Sequence, residues 1–325
     1  MKFYITSAYP FHPINNFGVN WIRESIALSG SDAHTLVDDP AASDIILFLE
    51  HHPVSDPYFF KVMNHELTQR FYHKVILYTD SDNPLALIPT ISPSFEKKFY
   101  NPHRERSGPY IGRHTENTSI SYSKERKEPE YLFSFIGASR THPVRNEILN
   151  IKSDNCFLKD TSDKYLWELS GEEKLLFEKQ FIQVSHNSCF VLCPRGHGVN
   201  SYRLYETMEM GIAPVIISDQ WIPMEGPQWD EFSIRIPEKH IAELPELLLK
   251  NRSRALEMGG IARKNWEKWF SKEVCFLQIA RLSTELQKDR KHPHFTYESA
   301  KYFQFLRPFH FKNLLRYFKN KLMKR

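Results

Sequence analysis

Short apolar runs alternate with longer polar stretches through the first part of the chain. The runs Lys2–Thr6, Asp44–Leu49 and Val75–Thr79 are each five or six residues long and are rich in Ile, Val, Leu, Phe and Tyr. Such runs are typical of strands that are buried in a parallel sheet. The stretches between them, Gly18–Leu28 and Pro57–Tyr72, carry apolar residues at helical spacing. This alternation predicts a doubly wound α/β domain at the start of the chain.

A second series of strands and helices follows a polar stretch in the middle of the chain. Strands are predicted at Tyr131–Ile136, Cys189–Cys193 and Ala213–Ser218, and a helix at Tyr202–Met210 that ends at Gly211. The later part of the chain predicts a strand and then three helices, at Ile234–Ile236, Ile241–Lys250, Ser253–Phe270 and Cys275–Gln287. The fold class predicted is therefore α/β, with two doubly wound, Rossmann-like domains and helices at the C-terminal end.

Changes in composition predict where the domains begin and end. We assign residues 1–98 to an N-terminal Rossmann-like domain and residues 99–130 to an interdomain connection that is polar and contains a short strand. Residues 131–285 are predicted to form the second domain, and residues 286–325 a basic helical tail. No repeat of 20 to 50 residues is visible in the sequence, which argues against solenoids and propellers.

The tail has the pattern of a basic amphipathic helix. Residues 301–325 contain eight basic side chains and no acidic one. A helix of this kind lies in an anionic membrane interface or packs its apolar face on the N-terminal domain, and we favour the membrane. The apolar positions, at i, i+3, i+4, i+7 and i+11, are Phe311, Leu314, Leu315, Phe318 and Leu322, and the basic positions among them are Lys312, Arg316 and Lys319.

Composition and charge exclude several classes of protein. The chain has 325 residues, of which 41% are hydrophobic and 25% are charged, as in soluble globular proteins. The formal net charge of +4, from 43 basic and 39 acidic residues, is too small to predict nucleic-acid binding. The four cysteines are too few for a disulfide framework. No apolar run has the length of a membrane span, so we expect a cytoplasmic protein, peripheral at the inner face of the cell membrane.

One segment, Ser188–Asp219, carries the features of a phosphate-binding turn. A strand runs into a loop that contains Gly196 and Gly198, and Asn200 or Ser201 then begins a helix as its N-cap. The amides and the dipole at such a helix start attract phosphate oxygens. On spacing alone, an equally good interpretation is that the glycines only shape a tight turn. The polar side chains of the segment are Arg195 and Arg203, which are suited to a diphosphate, and Glu206, which is suited to ribose hydroxyls.

The same segment carries a resemblance to a known family. Residues 189–219, together with Trp221-Ile-Pro223, Trp229-Asp-Glu-Phe-Ser233 and Ile236-Pro-Glu238, resemble the C-terminal part of exostosin-type glycosyltransferases. The run Phe133-Ser-Phe-Ile-Gly137 is similar to the usual opening of that domain, as are Arg140 and Arg145. The match is specific over residues 131–250 and loose before them.

The resemblance implies a GT-B arrangement, in which two Rossmann-like domains face a cleft. It also implies a nucleotide-sugar donor, with uridine diphosphate as the nucleotide, inversion at the anomeric carbon, and no obligatory metal or other cofactor. The acceptor it implies is a surface or extracellular polysaccharide or a lipid-linked glycan. The donor-binding residues predicted on this basis are Gly137, Arg140, Arg195, Gly196, Asn200, Ser201, Arg203 and Glu206.

An inverting transfer also needs a general base for the acceptor hydroxyl. We expect it at the carboxyl ends of the N-terminal strands, where doubly wound sheets bind ligands. Candidates are the loop at His12, the run Glu50-His51-His52 and the run Asp80-Ser81-Asp82. We choose Glu50 as the base and Asp80 as the second choice, although each of these side chains is also suited to a turn.

Two alternative functions remain open on the sequence. Asp80 and Asp82 form an Asp-x-Asp pair after an apolar strand, the pattern with which GT-A transferases hold a divalent metal. Full activity in excess chelator would exclude that alternative. The other is a catalytically inactive module of the same fold that binds a glycan or a nucleotide sugar without turnover.

Overall fold

The protein, analysed as a computed structural model, divides into two compact units. The first unit contains Met1–His114, Ile222–Met224 and Lys272–Arg325, and the second contains Thr115–Trp221 and Glu225–Ser271. The residues that the structure describes are 1–10, 16–51, 56, 58–84, 88–111, 117–125, 128–164, 168–290, 303–306 and 308–323.

Parallel strands form the sheet of the first unit. They are β1 (Lys2–Thr6), β2 (Thr35–Leu36), β3 (Ile45–Glu50), β4 (Val75–Thr79), β5 (Thr90–Ser92) and β6 (Glu105–Ser107). Their order in the sheet is β2-β1-β3-β4-β5-β6, and each neighbouring pair is parallel. Every residue of β3 and β4 is buried. This double burial explains why both strands are continuous apolar runs in the sequence.

The second unit contains another parallel sheet. Its strands are β7 (Tyr131–Gly137), β8 (Cys156–Asp160), β9 (Ser188–Pro194), β10 (Ala213–Ile217) and β11 (Ile234–Arg235). Their order is β11-β10-β9-β7-β8, with parallel pairing throughout. With two sheets of this kind and helices between the strands, the predicted fold class of two doubly wound units is confirmed. Their predicted arrangement around a cleft stays a prediction.

Helices connect the strands in both units. The helices are α1 (Phe17–Ser29), α2 (Phe60–Met63), α3 (Glu66–Phe71), α4 (Pro143–Leu149), α5 (Gly171–His186), α6 (Tyr202–Glu209), α7 (Trp229–Phe232), α8 (Leu244–Asn251), α9 (Ala255–Trp269), α10 (Lys272–Lys288) and α11 (Pro308–Met323). The single helix expected within Pro57–Tyr72 is two short helices in the structure. The second of these, α3, begins at Glu66 because His65 caps it: the ring nitrogen Nδ1 of His65 accepts a hydrogen bond from the amide of Leu67 at 3.2 Å.

Helix α10 returns the chain to the first unit, so the division differs from the predicted segments. The predicted second domain, residues 131–285, includes most of this helix, whereas the observed second unit ends at Ser271. Helix α10 packs on α1, where the Ser25 hydroxyl accepts a hydrogen bond from the amide of Phe276 at 3.1 Å. The Phe276 ring also meets the Phe3 ring edge to face, with centroids 5.3 Å apart. The expected connection at 99–130 likewise contributes β6 to the first sheet.

Each sheet has one position at which the direction of winding reverses. In the first sheet, the chain passes from β1 to β2 on one side and then to β3 on the other. In the second sheet, it passes from β7 to β8 and then to β9 on the opposite side. Loops diverge at the carboxyl ends of the strands at such a position and leave a crevice in which doubly wound proteins bind ligands. The topology thus marks two positions at which a ligand site is expected. One follows β1 and β3, and the other follows β7 and β9.

The tail helix α11 packs on the first unit along one side only. The ring of Tyr317 lies 5.5 Å from that of Phe60, and Leu314 joins a cluster around Tyr58 and Phe305. Other apolar side chains of the helix remain exposed. Over the described residues, none of the helices combines the length and the apolar composition that a membrane span requires.

Helix α9 packs on the turn between α6 and β10, and the two backbones approach closely there. A Cβ atom at Gly259 would lie 2.3 Å from the carbonyl oxygen of Gly211, in the turn between α6 and β10. A Cβ at the next residue, Gly260, would meet nothing within 4 Å. The glycine at 259 therefore permits the packing of α9 on this turn, whereas the glycine at 260 only weakens the helix.

These two adjacent glycines give a matched pair of substitutions. We expect Gly259→Ala to destabilise the protein, because the new methyl group must push α9 away from backbone atoms that cannot move aside. We expect Gly260→Ala to stabilise it by about 0.5–1 kcal/mol, the usual gain when alanine replaces glycine inside a helix. Urea unfolding of the three proteins measures both effects. Equal stabilities for the two variants would contradict the packing described here.

Candidate functional site

Arg145 joins the ends of two strands at the winding reversal of the second sheet. Its guanidinium donates to the carbonyl oxygens of Arg195 (2.8 Å), Pro194 (3.2 Å) and Ala138 (3.3 Å). The side chain is buried, so these hydrogen bonds replace the water that a charged group otherwise needs. They fix the loops after β7 and β9 relative to each other. The sequence analysis included Arg145 in the resemblance but missed this role.

Arg203 lies on α6, and its side chain contacts the end of β7. Its Nη2 group donates to the carbonyl oxygen of Ile136, and the guanidinium lies 5.0 Å from the ring centre of Phe135. Among the described residues, no hydrogen-bond partner is found for its buried Nε and Nη1 groups. Burial lowers the pKa of this guanidinium, and the nearby charge of Glu206 acts in the opposite direction.

The burial of Arg203 also explains the glycine at the end of β7. A Cβ atom at Gly137 would lie 2.9 Å from Arg203 Nη2 and 2.9 Å from the Phe135 ring. Arg203 thus carries buried N–H donors beside the end of β7, and its contact with a phosphate stays a prediction.

Arg195 follows β9 directly and is half-buried. Its side chain is 15% exposed, and its Nη1 lies 3.9 Å from Glu238 Oε1. The buried Nε of Arg195 has no hydrogen-bond partner in the described part of the chain. Glu238 is itself held in place, because its Oε1 accepts from the amide of Asp219 at 3.1 Å and its own amide donates to Asp219 Oδ1 at 3.1 Å. Glu238 was part of the resemblance only, and its contact with Arg195 was not predicted.

The turn that leads into α6 is held by Asn200. Its Oδ1 accepts from the amide of Ser201 at 2.7 Å, and its Nδ2 donates to the hydroxyl of Tyr205 at 2.9 Å. Asn200 therefore shapes the turn, and its role in donor binding stays a prediction. Ser201 occupies the N-cap position, and its side chain makes no capping hydrogen bond with the described helix. Its hydroxyl and the start of α6 are the groups for which the sequence predicts a phosphate contact.

Two other predicted donor residues serve contacts within the protein. A Cβ atom at Gly196 would lie 3.2 Å from Arg145 Nη2, so the glycine leaves room for that guanidinium. Arg140 is exposed and donates to the carbonyl oxygens of Ser162 and, at 3.0 Å, Lys164. The structure therefore directs Arg140 toward the loop after β8. Hydrogen bonds from Ser139 and Ser162 to the neighbouring Asp160 hold its pKa down at about 2, although burial opposes them.

The winding reversal of the first sheet contains Glu50, the last residue of β3. Its Oε1 accepts from the amide of Ala8 at 2.6 Å, and its Oε2 accepts from the Ser7 hydroxyl at 2.8 Å. The residue is only 3% exposed. Burial raises the pKa of the carboxyl to about 8, while the hydrogen bonds from Ala8 and Ser7 act in the opposite direction. The carboxyl thus joins the two loops that diverge after β1 and β3.

A neighbouring pair of side chains is brought together by adjacent strands. His51 follows β3 and Asp80 follows β4, and His51 Nδ1 lies 2.9 Å from Asp80 Oδ1 and 3.0 Å from Oδ2. Two other candidates, His12 and His52, lie outside the described residues. Within the described part of the chain, no three His, Cys, Asp or Glu side chains group as ligands for a metal ion.

The chain is similar to proteins of a known family. A family model described as the exostosin GT47 domain matches residues 59–250. An exostosin-1 homolog of Caenorhabditis elegans is 28% identical over 153 residues, which are 42% of this chain and 40% of that protein. Exostosin-1 of Drosophila melanogaster is 29% identical over 156 residues, which are 43% of this chain and 20% of that protein. The matched stretches thus span less than half of these relatives.

The chain is also similar to solved structures, at low sequence identity. A glycosyltransferase from Rickettsia africae gives a TM-score of 0.42 at 11% identity, covering 88% of this chain and 98% of that chain. The sucrose-phosphate synthase of Thermosynechococcus elongatus gives 0.41 at 12% identity, covering 88% of this chain and 98% of that chain.

The raised pKa of Glu50 predicts how stability depends on pH. The folded protein keeps a proton on this carboxyl up to a pH of about 8, whereas the unfolded chain releases it near the ordinary value of 4.5. Its stabilising effect is complete below the lower pKa and is lost as pH rises through the higher one, by at most about 1.4 kcal/mol per pH unit. Glu50→Gln cannot ionise and keeps an acceptor for the amide of Ala8. We expect the unfolding free energy of this variant, relative to the wild type, to rise between pH 5 and pH 8.

Urea unfolding at several pH values within this range measures the effect. Because burial also raises the pKa of Glu105, to about 7, the difference between variant and wild type is the informative quantity. Glu246→Gln, at an exposed position in α8, is the control. A difference for Glu50→Gln that does not change with pH would contradict the buried, protonated state of Glu50.

Proposed function

The chain belongs to the exostosin GT47 family, and from this membership we propose that it is an inverting glycosyltransferase that uses a nucleotide-diphosphate sugar as donor. The part of the chain that the family model matches includes every strand of the second sheet. The donor site proposed for that sheet lies at its winding reversal, the position at which this topology binds ligands.

One observation carries the proposal of a diphosphate site. Arg195 and Arg203 both have buried N–H groups for which the described residues supply no hydrogen-bond partner. Leaving a buried donor unpaired costs about 1–3 kcal/mol, and more for a charged group. Phosphate oxygens are suited to pair with these groups, since they accept charge-assisted hydrogen bonds from guanidinium forks. The ligand that best satisfies this arrangement is a diphosphate.

The remaining groups of the site fit parts of the same donor. The hydroxyl of Ser201 and the positive end of α6 are placed for a phosphate oxygen. Glu206 lies about one turn further along α6 and is suited to accept hydrogen bonds from ribose hydroxyls. As the bond to the sugar breaks, negative charge grows on the diphosphate, and the fixed charge of Arg195 and Arg203 stabilises it. Arg145, Asn200 and Glu238 keep the loops in place.

The donor nucleotide and the acceptor complete the proposal. The identification of the nucleotide as uridine diphosphate rests on the resemblance to the family, as does that of the acceptor as a polysaccharide or a lipid-linked glycan.

Release of free nucleotide from the donor distinguishes an active enzyme from a binding module of the same fold, because both bind the donor but only the enzyme turns it over.

The tail helix supports a location at the membrane surface. Four apolar side chains of α11 form an exposed ridge on the side not packed against the first unit, with exposed fractions of 50% for Phe311, 55% for Leu315, 50% for Phe318 and 70% for Leu322. Exposed basic residues flank the ridge, namely Lys312, Arg316, Lys319 and Lys321. Apolar side chains enter a bilayer interface while lysines and arginines pair with anionic headgroups. We therefore place the enzyme at the inner face of the cell membrane, with this ridge in contact with anionic lipid.

The diphosphate site predicts a specific loss of nucleotide binding. Arg195→Ala removes one charge-assisted contact, so we expect the affinity for UDP to fall by about 10- to 100-fold, which corresponds to roughly 1.5–3 kcal/mol. Isothermal titration calorimetry of the full chain with UDP measures it. Arg254→Ala removes an exposed arginine of the same unit and serves as the control. Equal UDP affinity for Arg195→Ala and wild type, or no UDP binding by either, would contradict the proposed site.

The tail predicts lipid-dependent sedimentation. We expect the full chain to pellet with vesicles that contain phosphatidylserine and to remain in solution with phosphatidylcholine vesicles, because the ridge is flanked by positive charge. The double variant Phe311→Ser, Phe318→Ser removes apolar surface that is already exposed and should prevent pelleting. Leu176→Ser, at an exposed leucine of α5 (67% exposed), is the control. A full chain that pellets with neither vesicle would exclude this membrane surface.

A further inference from the structure

His51 and Asp80 form a hydrogen-bonded pair at the edge of the sheet where the first unit is expected to bind its ligand. The two residues follow β3 and β4, which are neighbours and parallel, so both side chains emerge at the same edge. The ring nitrogen His51 Nδ1 lies 2.9 Å and 3.0 Å from the two oxygens of Asp80. The carboxylate side chain is 12% exposed, whereas the imidazole is 31% exposed. The histidine is thus the more accessible member of the pair.

The pairing has a chemical consequence for the histidine. A carboxylate that accepts a hydrogen bond from Nδ1–H fixes the ring orientation and leaves Nε2 as the nitrogen that takes a proton. The same carboxylate stabilises the imidazolium that forms when the proton is taken. A histidine held in this way is suited to act as a general base.

Glu50 is less suited to that task, although it is the preceding residue. It is 3% exposed, and both of its oxygens already accept hydrogen bonds from Ser7 and Ala8. With a pKa of about 8, it is mostly protonated at neutral pH. Its contacts hold the loops after β1 and β3, so Glu50 positions the backbone that leads into His51.

We propose that His51 is the general base of the transfer and that Asp80 is its positioning residue, an assignment that rests on the function proposed above. His51 Nε2 takes the proton of the acceptor hydroxyl as its oxygen forms a bond to the anomeric carbon. The bond between that carbon and the diphosphate oxygen breaks on the opposite face, and the nucleotide diphosphate leaves with the electron pair. The proton removed from the acceptor ends on the imidazole, which loses it to solvent after the product leaves.

The test compares turnover and binding in variants of the full chain. Release of UDP is measured for a panel of UDP-glucose, UDP-galactose, UDP-N-acetylglucosamine and UDP-glucuronate, with water as the acceptor. We expect His51→Ala to lower kcat by about 10²- to 10⁴-fold, the usual contribution of a general base, without a change in UDP affinity. Added imidazole should restore part of this rate, which it would not do for a residue with a structural role. His73→Ala removes an exposed histidine of the same unit and is the control.

Asp80→Asn tests the positioning role separately. Loss of the carboxylate removes the partner that orients the His51 ring and stabilises the imidazolium, so we expect a lower kcat with an unchanged KM and an unchanged UDP affinity. Titratable neighbours of the pair include Glu50, which precedes His51 in the chain, and the buried Tyr78, whose pKa is raised mainly by burial and further by Asp80. Glu50→Gln is therefore measured beside it, and we expect it to lower kcat less than His51→Ala does.

The outcomes separate this assignment from the proposed function. A wild-type chain that releases no UDP from any donor of the panel overturns the proposed function and, with it, the base. A wild-type chain that turns over while His51→Ala keeps its full kcat overturns the assignment of His51 alone. Loss of turnover in Glu50→Gln with normal turnover in His51→Ala would assign the base to Glu50 instead.

Discussion

One buried guanidinium determines the shape of the second unit's site. Arg145 donates to carbonyl oxygens at the ends of β7 and β9, the two strands between which the winding of the sheet reverses. Loops diverge at such a position, and without a group between them their carbonyls would need water or another donor. Gly196 leaves space for this guanidinium, and one carbonyl that it binds belongs to Arg195, a predicted phosphate ligand. The proposed donor site therefore depends on a side chain that need not touch the donor.

The two units use the winding reversal in related ways but with different side chains. In the second unit, positive guanidinium groups lie at the reversal, and two of them have buried N–H groups for which the described residues supply no partner, an arrangement that suits a diphosphate. In the first unit, a buried carboxyl joins the two loops, and a histidine–carboxylate pair lies one strand away. Those groups suit proton transfer from a hydroxyl. The proposed division of roles between donor and acceptor therefore follows from which residues end the strands, while the topology marks only where ligand sites are expected.

Much of the fold was predictable because its central strands are buried on both faces. Strands β1 and β4 begin and end where the apolar runs predicted. The sequence analysis missed β5, which is three residues long, and β8, an edge strand whose residues are half-buried or exposed, since neither has a long apolar run. It also placed α10 with the second unit, because helical spacing does not reveal which surface a helix packs on. In the candidate site, local spacing was enough to predict that Arg195 and the start of α6 lie close together after β9. The directions of Arg140, Arg145 and Arg203 depend on contacts with distant strands, and no local pattern encodes them.

The proposed function depends most on whether the loop after β9 and the start of α6 bind a diphosphate. A structure of the full chain crystallised with UDP tests this binding most directly. We predict diphosphate oxygens within hydrogen-bonding distance of the Arg195 and Arg203 guanidinium groups and of Ser201, with the ribose beside Glu206. UDP bound elsewhere on the chain, or at this edge of the sheet without contact to either arginine, would contradict the account.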